Sequence, residues 1–338
     1  PIQAHQLEKG SIRITQYQSD NLIVPLIKDV LESPLAGTTG ILTKTNEDAV
    51  FIACLLQEQG MPVRLVQTNS GNFYLGDLDE IRYFNRALDL SQDTHLIDDE
   101  RWETAKRCLK REFGHAQSWE ICRNIILNFE QVYSRKYHSD WTNYLFESKL
   151  EDFYPVQGEA IVVSTIHKAK GKEFDNVFLL LTNIESLSDE KKREVYVAIT
   201  RAKQNLSIHT NGHYLSNIAN GLAEYRINSN TYPAPQSLCY PLTHRDLWLD
   251  FFIDSHCQAA INTLKSGMSL RLTEKGCTDF SNNEILRFSK KFKDILNELI
   301  QKDYKLEKAS VNFVVYWEKQ EDKKEAKIVL PKVVFKKV

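Results

Sequence analysis

Residues 11 to 72 alternate short apolar runs with helical periodicities, and no other feature limits the possible folds as much. Ile12–Tyr17 reads as a strand, and Asn21–Glu32 places Leu22, Ile23, Leu26, Ile27, Val30 and Leu31 at helical spacing. Gly40–Thr45 gives a second strand. Glu47–Gln59 is an amphipathic helix that stops at Gly60 with Pro62 just beyond, and Val63–Gln67 is a third strand. Strands of this length joined by single helices pair in parallel through right-handed crossovers, which predicts an α/β domain. From about 73 to 155 the pattern changes to helices rich in charged and aromatic residues, among them Trp102, Trp119, Phe129 and Trp141. After Gly158 the strand signal returns at Ala160–Thr165, Asn176–Thr182 and Leu206–His209, with a helix over Glu190–Ala202. The α/β domain is therefore expected to be interrupted by a helical insertion and then resumed.

The expected organisation is a first half-domain over 1–72, the insertion over 73–155, the second half-domain over 156–228, a linker over 229–241 and a small α+β module over 242–338. The stretch from 228 to 241 holds three of the nine prolines, which marks it as extended. Beyond it, Thr243–Lys265 reads as a helix capped by threonine, Ser269–Leu272 and Ile285–Phe288 as short strands, and Lys290–Lys302 as an amphipathic helix. Val311–Glu318 and Lys327–Lys336 form a hairpin around the charged loop Lys319–Glu325.

Composition removes several function classes. The 338 residues contain no apolar run near the roughly 20 residues that a membrane-spanning helix needs, so a membrane protein is not expected. Forty-three basic and 45 acidic residues give a net charge of −2, and nucleic-acid affinity has to come from a local patch. Six cysteines, each at least 14 residues from the next and without a C-x-x-C pair, argue against a zinc site and fit reduced thiols in a cytoplasmic protein. The chain opens on Pro1 rather than Met, which points to a segment of a longer polypeptide.

The sequence has no G-x-x-x-x-G-K-[ST] phosphate loop: Gly171-Lys172 is followed by Glu173, and Ile166 stands where the first glycine belongs. Nucleophile-elbow, zincin and calcium-loop patterns are missing from it too. Two other stretches are informative. Ile161-Val-Val-Ser-Thr-Ile-His-Lys-Ala-Lys-Gly-Lys-Glu-Phe-Asp-Asn-Val-Phe is a buried strand running through a polar loop into a second strand, and Arg193-Glu-Val-Tyr-Val-Ala-Ile-Thr-Arg-Ala-Lys is a helix. Together they resemble motifs V and VI of the UvrD/Rep branch of superfamily 1 DNA helicases.

That resemblance implies a RecA-like parallel-sheet domain of the P-loop NTPase type that lacks its own phosphate loop, corresponding to the second motor domain, with a reduced helical insertion. It implies that Thr165, His167 and Lys170 face a single-stranded DNA backbone and that Gly171 and Glu173 lie towards the nucleotide, Glu173 reaching the ribose. Arg201 would be an arginine finger directed at the γ-phosphate of ATP. The residues alone also allow plainer readings: a solvated loop for His167 and the lysines, and a helix-end arginine on the dipole for Arg201. Tyr196, Val197 and Ile199 are expected to pack. Ile41-Leu-Thr-Lys-Thr-Asn-Glu is similar to the strand-end T-R-T-N of the same family, with Lys44 in the arginine position, keeping the charge and losing the bidentate fork.

By the same resemblance ATP and Mg²⁺ would be held mainly by an N-terminal RecA-like domain of the same polypeptide, the partner would be single-stranded or duplex DNA, and movement would run 3′ to 5′. Residues 242–338 fall outside the helicase pattern. Their densest basic run, Arg287-Phe-Ser-Lys-Lys-Phe-Lys, suits nucleic acid, yet Phe288 and Phe292 at i, i+4 suit a core equally well. The tail is also similar to the C-terminal extension of some long bacterial RecQ-family proteins. The expected function is the C-terminal motor domain of an ATP-dependent DNA helicase, inactive as this chain alone. The alternatives are a non-catalytic nucleic-acid-binding module or an accessory half fused to a RecQ-type helicase.

Overall fold

A computed structural model describes residues 10–66, 73–89, 95–154, 161–182, 188–217, 223–254 and 256–338. Gln67, Gly158 and Ala160, which mark expected strand limits, lie outside the described residues. The chain divides into two compact units, residues 1–68 with 156–238 and residues 69–155 with 239–338.

The elements are, in chain order, β1 (Ser11–Tyr17), α1 (Ile23–Glu32), β2 (Thr39–Thr43), α2 (Asn46–Glu58) and β3 (Val63–Val66). Then come α3 (Asp79–Ala87), α4 (Asp99–Phe113), α5 (Trp119–Val132) and α6 (His138–Glu147), followed by β4 (Ile161–Thr165), β5 (Phe174–Leu181), α7 (Asp189–Ile199), β6 (Ala202–Thr210) and β7 (Glu224–Asn228). The remainder is β8 (Ser237–Pro241), α8 (Asp250–Asp254), α9 (Gln258–Ile261), β9 (Ser269–Leu272), β10 (Gly276–Thr278), β11 (Glu284–Arg287), α10 (Lys290–Gln301), β12 (Tyr304–Glu318) and β13 (Glu325–Lys337).

The first unit is built on a seven-stranded sheet of order β3-β4-β2-β5-β6-β1-β7 in which every pair is parallel. Alternation along β5 explains why Val177–Leu181 is apolar throughout. Phe178 and Leu180 pack with Leu26 and Val30 of α1 and Ile52 and Leu56 of α2, whereas Val177, Leu179 and Leu181 pack on the other face with Val195 and Ala198 of α7. A sheet covered on both faces needs such uninterrupted apolar strands. Thr45 caps α2 by accepting the Asp48 N–H at 3.1 Å.

In the second unit α3 to α6 enclose an aromatic core of Phe84, Trp102, Phe129 and Trp141, all essentially buried, with ring centroids 5.0–5.7 Å apart. Both buried indole N–H groups are satisfied, Trp102 by Glu130 and Trp141 by Asn85. A six-stranded sheet of order β11-β10-β9-β12-β13-β8 carries the long antiparallel β12–β13 hairpin. Lys327 of β13 reaches Asp79 of α3 at 2.8 Å.

Several expected elements come out differently. No single helix covers Thr243–Lys265: Asp246 accepts from the Thr243 N–H and hydroxyl in a short turn, and Leu247 then bridges to Phe288 in extended conformation before α8 and α9. β12 begins at Tyr304, well before Val311, because bulges at Leu306/Lys308 and Val311/Phe313 break the period-two pattern that would have revealed it. Part of the stretch read as a linker is strand β8.

A loop that links opposite ends of the sheet

β4 and β2 end side by side, with Thr165 in register with Thr43. Lys44 and the loop 166–173 therefore leave the sheet together at its C-terminal edge. The Ile166 N–H donates to the Thr43 carbonyl at 2.8 Å, and the Thr165 carbonyl accepts from the N–H groups of Lys168 and Ala169 at 3.1 Å each. This winds one turn in which Ile166 and Ala169 are buried and His167 and Lys170 point outward. Helical spacing within the turn decides which side chains are available: apolar residues three apart anchor it, and the polar ones between face solvent. Lys44 is exposed as well, Thr165 is buried at the strand end, and Lys168 donates to Asn46 Oδ1 at 2.8 Å.

The loop then crosses to the other edge. Glu173 immediately precedes β5, and Arg201 immediately precedes β6, where Phe174 is in register with Ala202. The expected site residues consequently form two groups. Thr165, His167 and Lys44 lie at the C-terminal edge of the sheet, Glu173 and Arg201 at its N-terminal edge, and Lys170 and Gly171 on the segment between. Gly171 has φ +83° with open space around its Cα, so backbone conformation rather than crowding calls for glycine there.

Arg201 stands just past the end of α7, half-buried. Its Nε donates to the Val197 carbonyl at 2.9 Å, Nη1 to the Lys172 carbonyl at 3.1 Å and Nη2 to Thr200 Oγ1 at 3.1 Å. All three acceptors are neutral, and a phosphate oxygen is a stronger partner for a guanidinium than any of them. Glu173 is 3.8 Å from the Lys203 ammonium, an exposed pair of small energetic weight. Of the residues expected to pack in α7, Tyr196 does not: it is 60% exposed, and Val195 and Ala198 carry the buried face while Val197 and Ile199 are half-buried. The reason is register, since the sheet takes positions 195 and 198 of the helix.

Sequence reasoning missed a polar cluster on the α1 face of the sheet. Asp29 accepts from Arg13 at 2.6 Å, from Ser207 at 2.8 Å and from His209 Nε2 at 3.0 Å, and His209 Nδ1 accepts from the Tyr17 hydroxyl at 2.8 Å. A carboxylate can only accept, which places the imidazole proton on Nε2. Burial holds the His209 pKa below its ordinary value, although the Asp29 bond opposes this. Burial would push Asp29 up, but its bonds from His209 and Ser207 and the Arg13 charge bring it net below the usual carboxylate range. Among the described residues no group of three or more His, Cys, Asp or Glu could hold a metal ion, and no helix is long and apolar enough to cross a membrane.

A seven-stranded parallel sheet flanked by helices on both faces, entered by an insertion and lacking a phosphate loop in its sequence, is a RecA-like α/β domain, here accompanied by a separate antiparallel module. Residues 141–213 match the family model of the UvrD-like helicase C-terminal domain. The matched stretch takes in β4, the loop, β5, α7 and β6, and leaves β1 to β3 and the β12–β13 sheet outside it. No curated protein matches the chain.

Proposed function

We propose that this chain is the C-terminal motor domain of an ATP-dependent DNA helicase of the UvrD type. The observation that carries the reading is the single loop, residues 166–173, whose one end emerges beside Thr165 and Lys44 and whose other end is bonded to Arg201. In the proposed mechanism His167, Lys170 and Lys44 contact the phosphates of single-stranded DNA, with Thr165 supplying a positioning hydroxyl; such contacts hold the backbone without reading sequence. Glu173 and Gly171 border the nucleotide, and Arg201 exchanges its neutral acceptors for the γ-phosphate of an ATP held, with Mg²⁺, by an N-terminal RecA-like domain of the same polypeptide. The loop that joins the two ends couples nucleotide state to the DNA.

The chain alone is expected not to turn over ATP, because it supplies no phosphate loop. Oligothymidylate binding by this chain, followed by anisotropy, tests the DNA half: His167→Ala with Lys170→Gln weakens binding and flattens its salt dependence, and unchanged binding rejects the contact. A non-catalytic nucleic-acid-binding module is the second reading, favoured by Arg201 being fully engaged with its own domain. DNA-stimulated ATP hydrolysis by the full-length protein separates the two.

A further inference from the structure

The second unit contains a cleft of about 710 Å³ whose walls include Trp248 and Trp317 and whose rim carries Lys290 and Lys293 of α10. Its size lies within the usual range for ligand sites, roughly 300–1,000 Å³. Trp248 is 47% exposed, yet it is not loosely held. Its backbone N–H donates to the Arg287 carbonyl at 2.9 Å, and the Arg287 guanidinium sits 5.4 Å from the indole centroid. Glu284 grips that guanidinium through two bonds of 2.6 and 2.7 Å. Trp248 lines the cleft and Arg287 does not. A large exposed aromatic side chain with only two χ angles loses little entropy when another ring stacks on it.

Charge chooses the ligand. Two of the three carboxylates on the rim share one lysine, Asp250 at 2.7 Å and Glu321 at 3.8 Å from Lys319, and Glu318 is 3.1 Å from Lys323, which lies outside the cleft. Lys290 and Lys293 are exposed and make no ion pair among the described residues. The lining is formally neutral, but its charges are separated: the carboxylates gather around Lys319 and Lys323, and Lys290 and Lys293 stand on α10 without an ion-pair partner among the described residues. A cationic or purely apolar peptide would leave those two ammonium groups facing it without an anion. Bases that stack joined by phosphates that carry negative charge satisfy both features.

We propose that the Trp248–Trp317 cleft binds single-stranded nucleic acid without sequence preference, the bases stacking on Trp248 and the backbone phosphates meeting Lys290 and Lys293. Every residue in it belongs to the second unit, so the proposal does not depend on the motor reading. Phe288 and Phe292, the aromatics of the basic run, are both buried; Phe288 lines the cleft and Phe292 does not.

The test uses the whole chain and a fluorescein-labelled oligothymidylate, with a 5-iododeoxyuridine version for photocrosslinking and mass-spectrometric mapping. Adducts on Trp248 or Trp317 are expected. Trp248→Ala weakens binding about tenfold, while Trp248→Phe retains most of it. Lys290→Gln with Lys293→Gln, both on exposed positions that do not bear on folding, lowers the slope of log affinity against log salt by about 1.4. Adducts confined to residues outside the cleft, wild-type affinity and salt slope in the lysine pair, or no oligonucleotide binding at all would each overturn the proposal. If crosslinks fall only on residues 164–172, the cleft is refuted and the motor contact stands. If they persist at Trp248 when His167→Ala and Lys170→Gln have no effect, the reverse holds.

Discussion

Arg201 and Lys172 are joined by a hydrogen bond of 3.1 Å from Nη1 to the carbonyl oxygen, and the Arg201 carbonyl in turn accepts the Phe174 N–H at 2.8 Å. The arginine thus braces the end of the loop that begins at Thr165. Any ligand that draws the guanidinium away from Lys172 releases the loop end, and any displacement of the loop changes what the guanidinium can reach. A surface arginine on a helix dipole would have no such reciprocal relation to a second element.

In the full-length protein Arg201→Ala is expected to abolish ATP hydrolysis and to leave DNA binding nearly unchanged. Arg201→Lys keeps the charge but cannot donate to three separated acceptors, so it should recover little turnover. Steady-state hydrolysis measured beside oligonucleotide anisotropy separates these outcomes. Unchanged turnover in Arg201→Ala removes the finger assignment.

Two glycines near the loop should respond differently to alanine. At Gly171 a Cβ meets nothing within 4 Å but would sit on a backbone of φ +83°, at a cost of about 1 kcal/mol. At Gly40 the Cβ would come within 2.6 Å of the Phe174 ring, which is itself buried between β2 and β6. Overpacking there costs about 1–3 kcal/mol and shifts the loop's exit. Hydrogen exchange of β2 and β5 amides should therefore accelerate more in Gly40→Ala than in Gly171→Ala; the opposite order contradicts the packing argument.

Acidification should weaken the first unit through His209. Its folded pKa lies below the unfolded value of about 6.5, so the unfolded chain takes up the proton first and stability falls as pH drops below that value. The loss cannot exceed about 1.4 kcal/mol per pH unit for one group. Asp29, also held below its unfolded value, adds to the loss only as pH falls through about 4. Between pH 7.5 and 5.5, exchange from β6 amides should quicken in the native protein and much less in His209→Gln. Equal pH dependence in the two would exclude the histidine as the cause.

How much of this was legible in the sequence depends on where each element lies. β2, β4 and β5 are covered on both faces, and their continuous apolar runs announced them. Among the described residues β7 pairs on one side only and leaves Ile227 70% exposed between Arg226 and Asn228, so its composition resembles a loop. The loop residues were legible as a motif, but not their division between two edges, because that depends on strand order. The Asp29–His209 cluster joins residues 180 apart, and Trp248 meets Arg287 from a distant part of the chain; neither has a local signal. Tyr196 lies off the buried face of α7; helical spacing alone fits more than one such face.

All five tryptophans belong to the second unit, so their fluorescence reports its unfolding alone, and Glu80 can be tested there. Glu80 is 2% exposed; the Ser118 hydroxyl donates to its Oε1, while Oε2 has no hydrogen-bond partner among the described residues. Burial raises its pKa, with the Asp79 charge beside it acting in the same direction. The folded state therefore holds a proton that the unfolded chain releases near pH 4.3, and stability contributed by this group is lost as pH rises through the folded pKa. Glu80→Gln keeps the shape and an acceptor for Ser118 and removes the ionisation. It should be more stable than the native protein at pH 8, by about 1–2 kcal/mol, and gain little at pH 5. Glu80→Ala removes the acceptor and leaves a void, and should lose stability at both. Urea midpoints at the two pH values decide the matter: if Glu80→Gln gains as much at pH 5 as at pH 8, the carboxyl is ionised in the folded state throughout and burial does not govern it.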